Sequence, residues 1–138
     1  MKIENPLRCI LYWLILVIIM ILHFNYHVGE LFYGIEITRE GANGHIPIGT
    51  HIIRNIFYHL PLVWVIFLIF TDAKLIRAGL FFISIIYALA HGLHLFKDLS
   101  NPDLSQTPLL SLALTVSILL CFEHYNFWKS RKNIVENL

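Results

Sequence analysis

Four apolar runs of about 20 residues, separated by short polar stretches, take up most of this chain, and that is the length a helix needs to cross a bilayer. Lipid offers no hydrogen bonds, so a spanning segment must pair its own backbone groups. Composition agrees with this reading. The chain is 57% hydrophobic and 14% charged, with mean hydropathy +0.68, whereas soluble domains carry about 25% charged residues. The expected fold is all-α: a polytopic membrane protein, an antiparallel bundle of four transmembrane helices with short loops. It forms one membrane domain over residues 1–138.

The spans fall at about 9–27, 52–70, 75–96 and 108–122. The first run is long for the ~7–15-residue core of a signal peptide, and no small-x-small cleavage site follows, so it reads as a retained helix. Its continuation from Val28 to Glu36 is amphipathic and is expected to project from the lipid. Thr38 to Thr50 holds three glycines and Pro47 and reads as a loop. Thr71 to Lys74 reads as a tight turn, Lys97 to Thr107 as a polar loop turning at Asn101-Pro102, and Pro108 as a first-turn proline.

Lys2, Arg8, Lys74, Arg77, Lys129, Arg131 and Lys132 fall on one side, and Arg39, Arg54 and Lys97 on the other. The positive-inside rule therefore places both termini in the cytoplasm, with Tyr12, Trp13, Tyr125 and Trp128 as an aromatic belt on that face. A net charge of +1 gives no field for nucleic acid, which is excluded as a partner. Cys9 and Cys121 come to the same face; one bridge and two separate thiols both fit, and separate thiols are expected.

Alternation of the helices brings the end of the first, start of the second, end of the third and start of the fourth to one membrane face. Those stretches carry His23, His27 and Glu30; Asn55 and His59; His91, His94 and Asp98; and Gln106. His23, His59 and His91 lie roughly 6–10 Å inside the helix boundaries at 1.5 Å per residue. Polar groups at that depth are costly and mark functional-site hypotheses. Helical spacing aligns them: His23, His27 and Glu30 share one stripe, Asn55 and His59 another, and Tyr87, His91, His94 and Asp98 a third. Pro61 leaves the Phe57 carbonyl without its helical donor beside His59. Each residue also has a plainer reading, as a solvated interface residue or an interhelical hydrogen bond. Glu123-His124 reads as an interface pair at the opposite end, and Ser111, Thr115 and Ser117 as small packing residues.

Imidazole and carboxylate together are ligands for zinc or non-haem iron, so His23, His27, Glu30, His59, His91 and His94 form the candidate metal set, with Glu30 the candidate catalytic residue. The i, i+3 pairs His27/Glu30 and His91/His94 can each reach one ion from a single helical turn. Three other readings stand beside a divalent metal ion. Haem could be held by His59 with His91 or His23. Histidine and glutamate could do acid–base chemistry on a lipid or isoprenoid. The chain could also be an accessory or assembly subunit. Besides the lipid bilayer, the expected partners are a second copy or a larger membrane complex.

At these residues the chain resembles small four-helix bacterial membrane families typified by a first-helix His-x-x-Glu-Glu motif with later histidines. The matching segments are His27-Val-Gly-Glu30-Leu31, in which the second glutamate is absent, His59-Leu-Pro61 and His91-Gly-Leu-His94-Leu-Phe. The resemblance implies location in a bacterial inner membrane, an integral membrane enzyme, and His27, Glu30, His59, His91 and His94 as site residues.

Overall fold

A computed structural model describes residues 5–38, 41–71, 73–100 and 103–129. Lys2, Arg39, Asp72, Asn101-Pro102, Arg131 and Lys132, which entered the turn and charge arguments, lie outside the described residues. The described chain is helical: α1 (Asn5–Gly29), α2 (Ile48–Phe70), α3 (Lys74–Asp98) and α4 (Gln106–Lys129). All four are long and apolar enough to cross a membrane. A helix of 25 residues spans ~37 Å, which exceeds the ~30 Å hydrocarbon core.

The helices outrun their apolar runs. After α1 comes a single 3₁₀ turn, Glu30–Tyr33, closed by Gly34 at φ 74°. Gly34 N–H donates to the Leu31 carbonyl at 3.1 Å and Ile35 N–H to the Glu30 carbonyl at 3.2 Å, a left-handed stop that glycine adopts at little cost. Of the Val28–Glu36 projection, Val28 and Gly29 complete α1, this one turn follows, and the helix stops there. α2 begins at Ile48, earlier than hydropathy predicts, because Pro47 stands at its cap and accepts from Thr50 N at 2.9 Å. α4 runs on to Lys129.

Each helix buries a seam at alternating three- and four-residue steps, the spacing that keeps one stripe facing a neighbour. α1 buries Cys9, Trp13, Leu16 and Met20; α4 buries Leu109, Ala113, Val116, Leu120 and Phe127. α3 buries Arg77, Leu80, Ser84, Tyr87 and His91, and α2 buries Pro61, Val65 and Leu68. α4 is the central element, packed against both α3 and α1, while α2 leans on α1. Only 11% of the most apolar window of α2 is buried, against 39% for α4, so α2 is the helix held most loosely. Large apolar residues such as Ile18, Ile66 and Leu89 face outward, as expected where lipid is the solvent.

Hydroxyls behave in two ways. Ser111 and Thr115 are exposed and bond the carbonyls of Thr107 and Ser111, so they are not packing residues. Ser117 sits fully buried in the α3/α4 seam. Both cysteines are free thiols, Cys9 buried and Cys121 half-buried.

Pro61 does more than bend α2. The five residues Asn55–His59 adopt π-helical pairing, with Leu60 N–H donating to Asn55 O. An i→i+5 register aims the Ile56 carbonyl at residue 61, a proline with no N–H. The freed acceptor is thus that of Ile56, one residue before the Phe57 carbonyl expected from an α-register. The buried Tyr87 hydroxyl on α3 donates to it, and Tyr58 OH donates to Met20 O at 3.2 Å, tying α2 to α1. Tyr87→Phe is expected to cost about 1 kcal/mol, the net worth of one such bond. The cost should shrink on a Pro61→Ala background, where a backbone N–H returns; detergent–SDS unfolding midpoints of the four variants check this. An unchanged cost would show that proline is not what frees the carbonyl.

Candidate functional site

The polar groups of α1, α3 and α4 meet at one end of the bundle. His23 on α1 and Gln106 at the start of α4 are joined through His23 Nδ1 and Gln106 Oε1 at 2.6 Å. With the oxygen as acceptor, Nδ1 carries the proton and donates. The His23 ring lies 4.8 Å from that of His27 and 5.0 Å from that of His94, edge to face in both cases. His27 Nδ1 is 3.7 Å from Glu30 Oε1, one helical turn further along α1. Asp98, at the end of α3, accepts from Thr107 Oγ1 at 2.5 Å and fastens α3 to α4.

Asp103 organises the start of α4. Its Oδ1 accepts from Ser105 N and Gln106 N, both at 2.7 Å, and its carbonyl accepts from Thr107 N at 3.0 Å. Those are the second and third N–H groups after Asp103, the pair an N-cap carboxylate satisfies. Asp103→Ala is therefore expected to lower stability by about 1 kcal/mol and to loosen Gln106. Hydrogen exchange at Ser105 and Gln106 would rise; unchanged protection there would contradict the capping role.

Beside this cap a cavity of about 490 Å³ opens between the end of α1 and the start of α4. Asn25, Tyr26, Gly29 and Glu30 form one wall, Phe32 and Tyr33 of the 3₁₀ turn overhang it, and Asp103, Ser105 and Gln106 close the other side. Gln106 is only 4% exposed, and its Nε2 has no hydrogen-bond partner among the described residues. A buried amide with free donors costs about 1–3 kcal/mol unless something accepts from it.

Five of the residues singled out from sequence come together here: His23, His27, Glu30, His94 and Gln106, with Asp98 at the edge. His91 and His59 do not join them. His91 lies deeper, 2% exposed, with Nδ1 at 2.8 Å from Ser117 Oγ. Ser117 also bonds Ala113 O at 2.8 Å, which uses its single hydrogen. The network therefore assigns the Nδ1 proton to His91 and leaves Nε2 a bare acceptor, buried beside the Phe57 and Tyr87 rings with no described partner. His59 is exposed and bonds Asn55 Oδ1 at 2.6 Å on its own helix. The candidate metal set is thus distributed over three places. Among the described residues, no three His, Cys, Asp or Glu side chains are arranged to hold one ion. The haem pairing of His59 with His91 fares no better, since one points outward and the other into the α3/α4 seam.

The opposite end corrects two further expectations. Glu123 and His124 are not an interface pair: Glu123 bridges Arg8 at 3.0 Å, while His124 is fully buried and accepts from Trp13 Nε1 at 3.0 Å. Trp13, with no exposed surface, belongs to the core and not to an aromatic belt. Arg77 is buried as well, donating to the Phe127 carbonyl at 3.3 Å and lying 4.6 Å from that ring's centre. Sequence reasoning placed Ser117 in the packing but missed its bond to His91, and it missed Asp103 and the Trp13–His124 pair. The three- and four-residue seam of α4 carries a signal for Ser117 and His124, whereas Asp103 could be found as an N-cap directly after a proline.

The class these features define is an all-helical protein with four helices of membrane-spanning length and one polar mouth. Compared with protein families, curated proteins and solved structures, the chain matches none of the three.

Proposed function

We propose that this chain is an integral membrane protein that crosses the bilayer four times, keeps both termini on the cytoplasmic side, and binds the headgroup of a lipid-phase molecule in the cavity at the other face. One observation carries the reading: a cavity of about 490 Å³ at the polar end, walled by the buried Gln106 amide whose donors have no described partner. That volume lies within the ~300–1,000 Å³ range of small-molecule sites. The apolar exterior of all four helices would place this mouth at the depth of lipid headgroups. Glu30 and His27, side by side at the rim, are the groups available for acid–base chemistry on a bound headgroup. Metal is left out of this reading because no three candidate ligands among the described residues are arranged around one point. The shallow burial of α2 favours a second reading, an accessory subunit whose α2 lies against a partner helix; a larger complex that survives purification and is lost when Ile66 and Ile69 become polar would support it.

The test is photo-cross-linking with a phospholipid carrying a diazirine in its headgroup, in protein reconstituted into nanodiscs, with peptide mapping. Adducts are expected to concentrate on residues 25–33 and 103–106. Adducts spread evenly over both ends of the bundle would overturn the assignment.

A further inference from the structure

We infer that the cavity at the polar mouth receives a cationic alkylammonium headgroup, with Glu30 and the rings of Tyr26, Phe32 and Tyr33 facing the ammonium and the Gln106 amide facing an acceptor oxygen beside it. The inference rests on reading the cavity as a headgroup site and names the chemistry of what enters it. The lining contains two carboxylates, Glu30 and Asp103, and no lysine or arginine among its described residues. An anionic headgroup would meet repulsion there. One oxygen of Asp103 is held by the cap of α4, whereas Glu30 has only the half-exposed His27 imidazole beside it, at 3.7 Å. Among the described residues, no permanent cation lines the cavity to match its charge.

Aromatic character supplies the second half of the recognition. Phe32 and Tyr33 are 88% and 86% exposed, so both rings are free to close on a ligand, and Tyr26 stands on the facing turn of α1. Aromatic faces together with a carboxylate are the combination that binds quaternary ammonium groups, through the negative ring faces. Gln106 then sets polarity within the site. Its buried, unpartnered Nε2 seeks an acceptor, and in a zwitterionic headgroup the phosphodiester oxygens lie one short linker away from the ammonium.

The experiment uses the full chain in phosphatidylglycerol nanodiscs, titrated by calorimetry with choline, phosphocholine, glucose and inorganic phosphate. A parallel arm dopes the discs with phosphatidylcholine or phosphatidylethanolamine and reads photo-cross-linking at residues 25–33. Choline and phosphocholine are expected to bind, with glucose and phosphate at least tenfold weaker. Glu30→Gln, at a half-buried position, and Tyr33→Leu, at an exposed one, should each weaken choline about tenfold while leaving the unfolding midpoint in place. Binding of the free compounds points to a soluble ammonium ligand, and displacement only by the doped lipids to a membrane source; both uphold the chemistry. Tighter binding of glucose than choline, or choline binding indifferent to Glu30→Gln, would overturn the inference. Cross-links at the mouth from phosphatidylglycerol alone would overturn it while leaving the headgroup site standing. No cross-link at the mouth from any lipid would remove both.

Discussion

Trp13→Ala is expected to destabilise the bundle by about 3–5 kcal/mol, the range for removing a large aromatic from a packed core. Trp13 has no exposed surface; its ring meets Tyr87 edge-on at 4.9 Å, and its N–H satisfies His124 on the last helix. In the proposed membrane setting the loss would come mainly from dispersion contacts, since lipid tails are as apolar as the core and little hydrophobic drive would hold helix to helix. Trp13→Phe separates the parts: it keeps most of the packing, removes the N–H, and should cost about 1 kcal/mol for the hydrogen bond. Ile18→Ala, on the outward face at 54% exposure, is the control and should shift stability by less than about 0.5 kcal/mol. Reversible unfolding in mixed detergent–SDS micelles reads all three. Equal losses for Trp13→Ala and Ile18→Ala would mean that α1 does not pack through the Cys9–Trp13–Leu16–Met20 seam.

Gln106→Leu is expected to lower headgroup affinity or cross-linking yield about tenfold, which corresponds to about 1.4 kcal/mol. The substitution keeps size and removes both the amide donors and the partner of His23. Stability should change little, because relief of the unpartnered Nε2 donor offsets the lost hydrogen bond to His23. A fall in affinity with stability held distinguishes a ligand-facing residue from a structural one. A large loss of stability with unchanged affinity would assign Gln106 to packing alone.

The four long apolar helices were legible because hydropathy over about 20 residues is a strong signal, but their ends were not. Helical hydrogen bonding continues through polar residues, so α4 runs past Glu123 and His124 to Lys129, and α2 starts at the Pro47 cap inside what hydropathy marks as loop. The stripe His23, His27 and Glu30 was legible from period alone, and so was the meeting of α1, α3 and α4 at one end. The orientation of His59 was not. An inserted residue turns a helical face by about 100°, and the π segment Asn55–His59 inserts one just where the second stripe was read. The burial of His91 and His124 in the seams was not legible either: it depends on how α3 and α1 rotate against α4, which local sequence does not encode.

The central claim, a four-span protein with its polar mouth on the face opposite its termini, is tested most directly by thiol accessibility in intact cells. With Cys9 and Cys121 replaced by alanine, single cysteines are placed by Ser105→Cys at the mouth and Asn126→Cys near the other end, both at exposed positions. A membrane-impermeant maleimide is predicted to label Ser105→Cys from outside and Asn126→Cys only after the membrane is opened. Labelling of both from the same side, or of Asn126→Cys alone from outside, would contradict it.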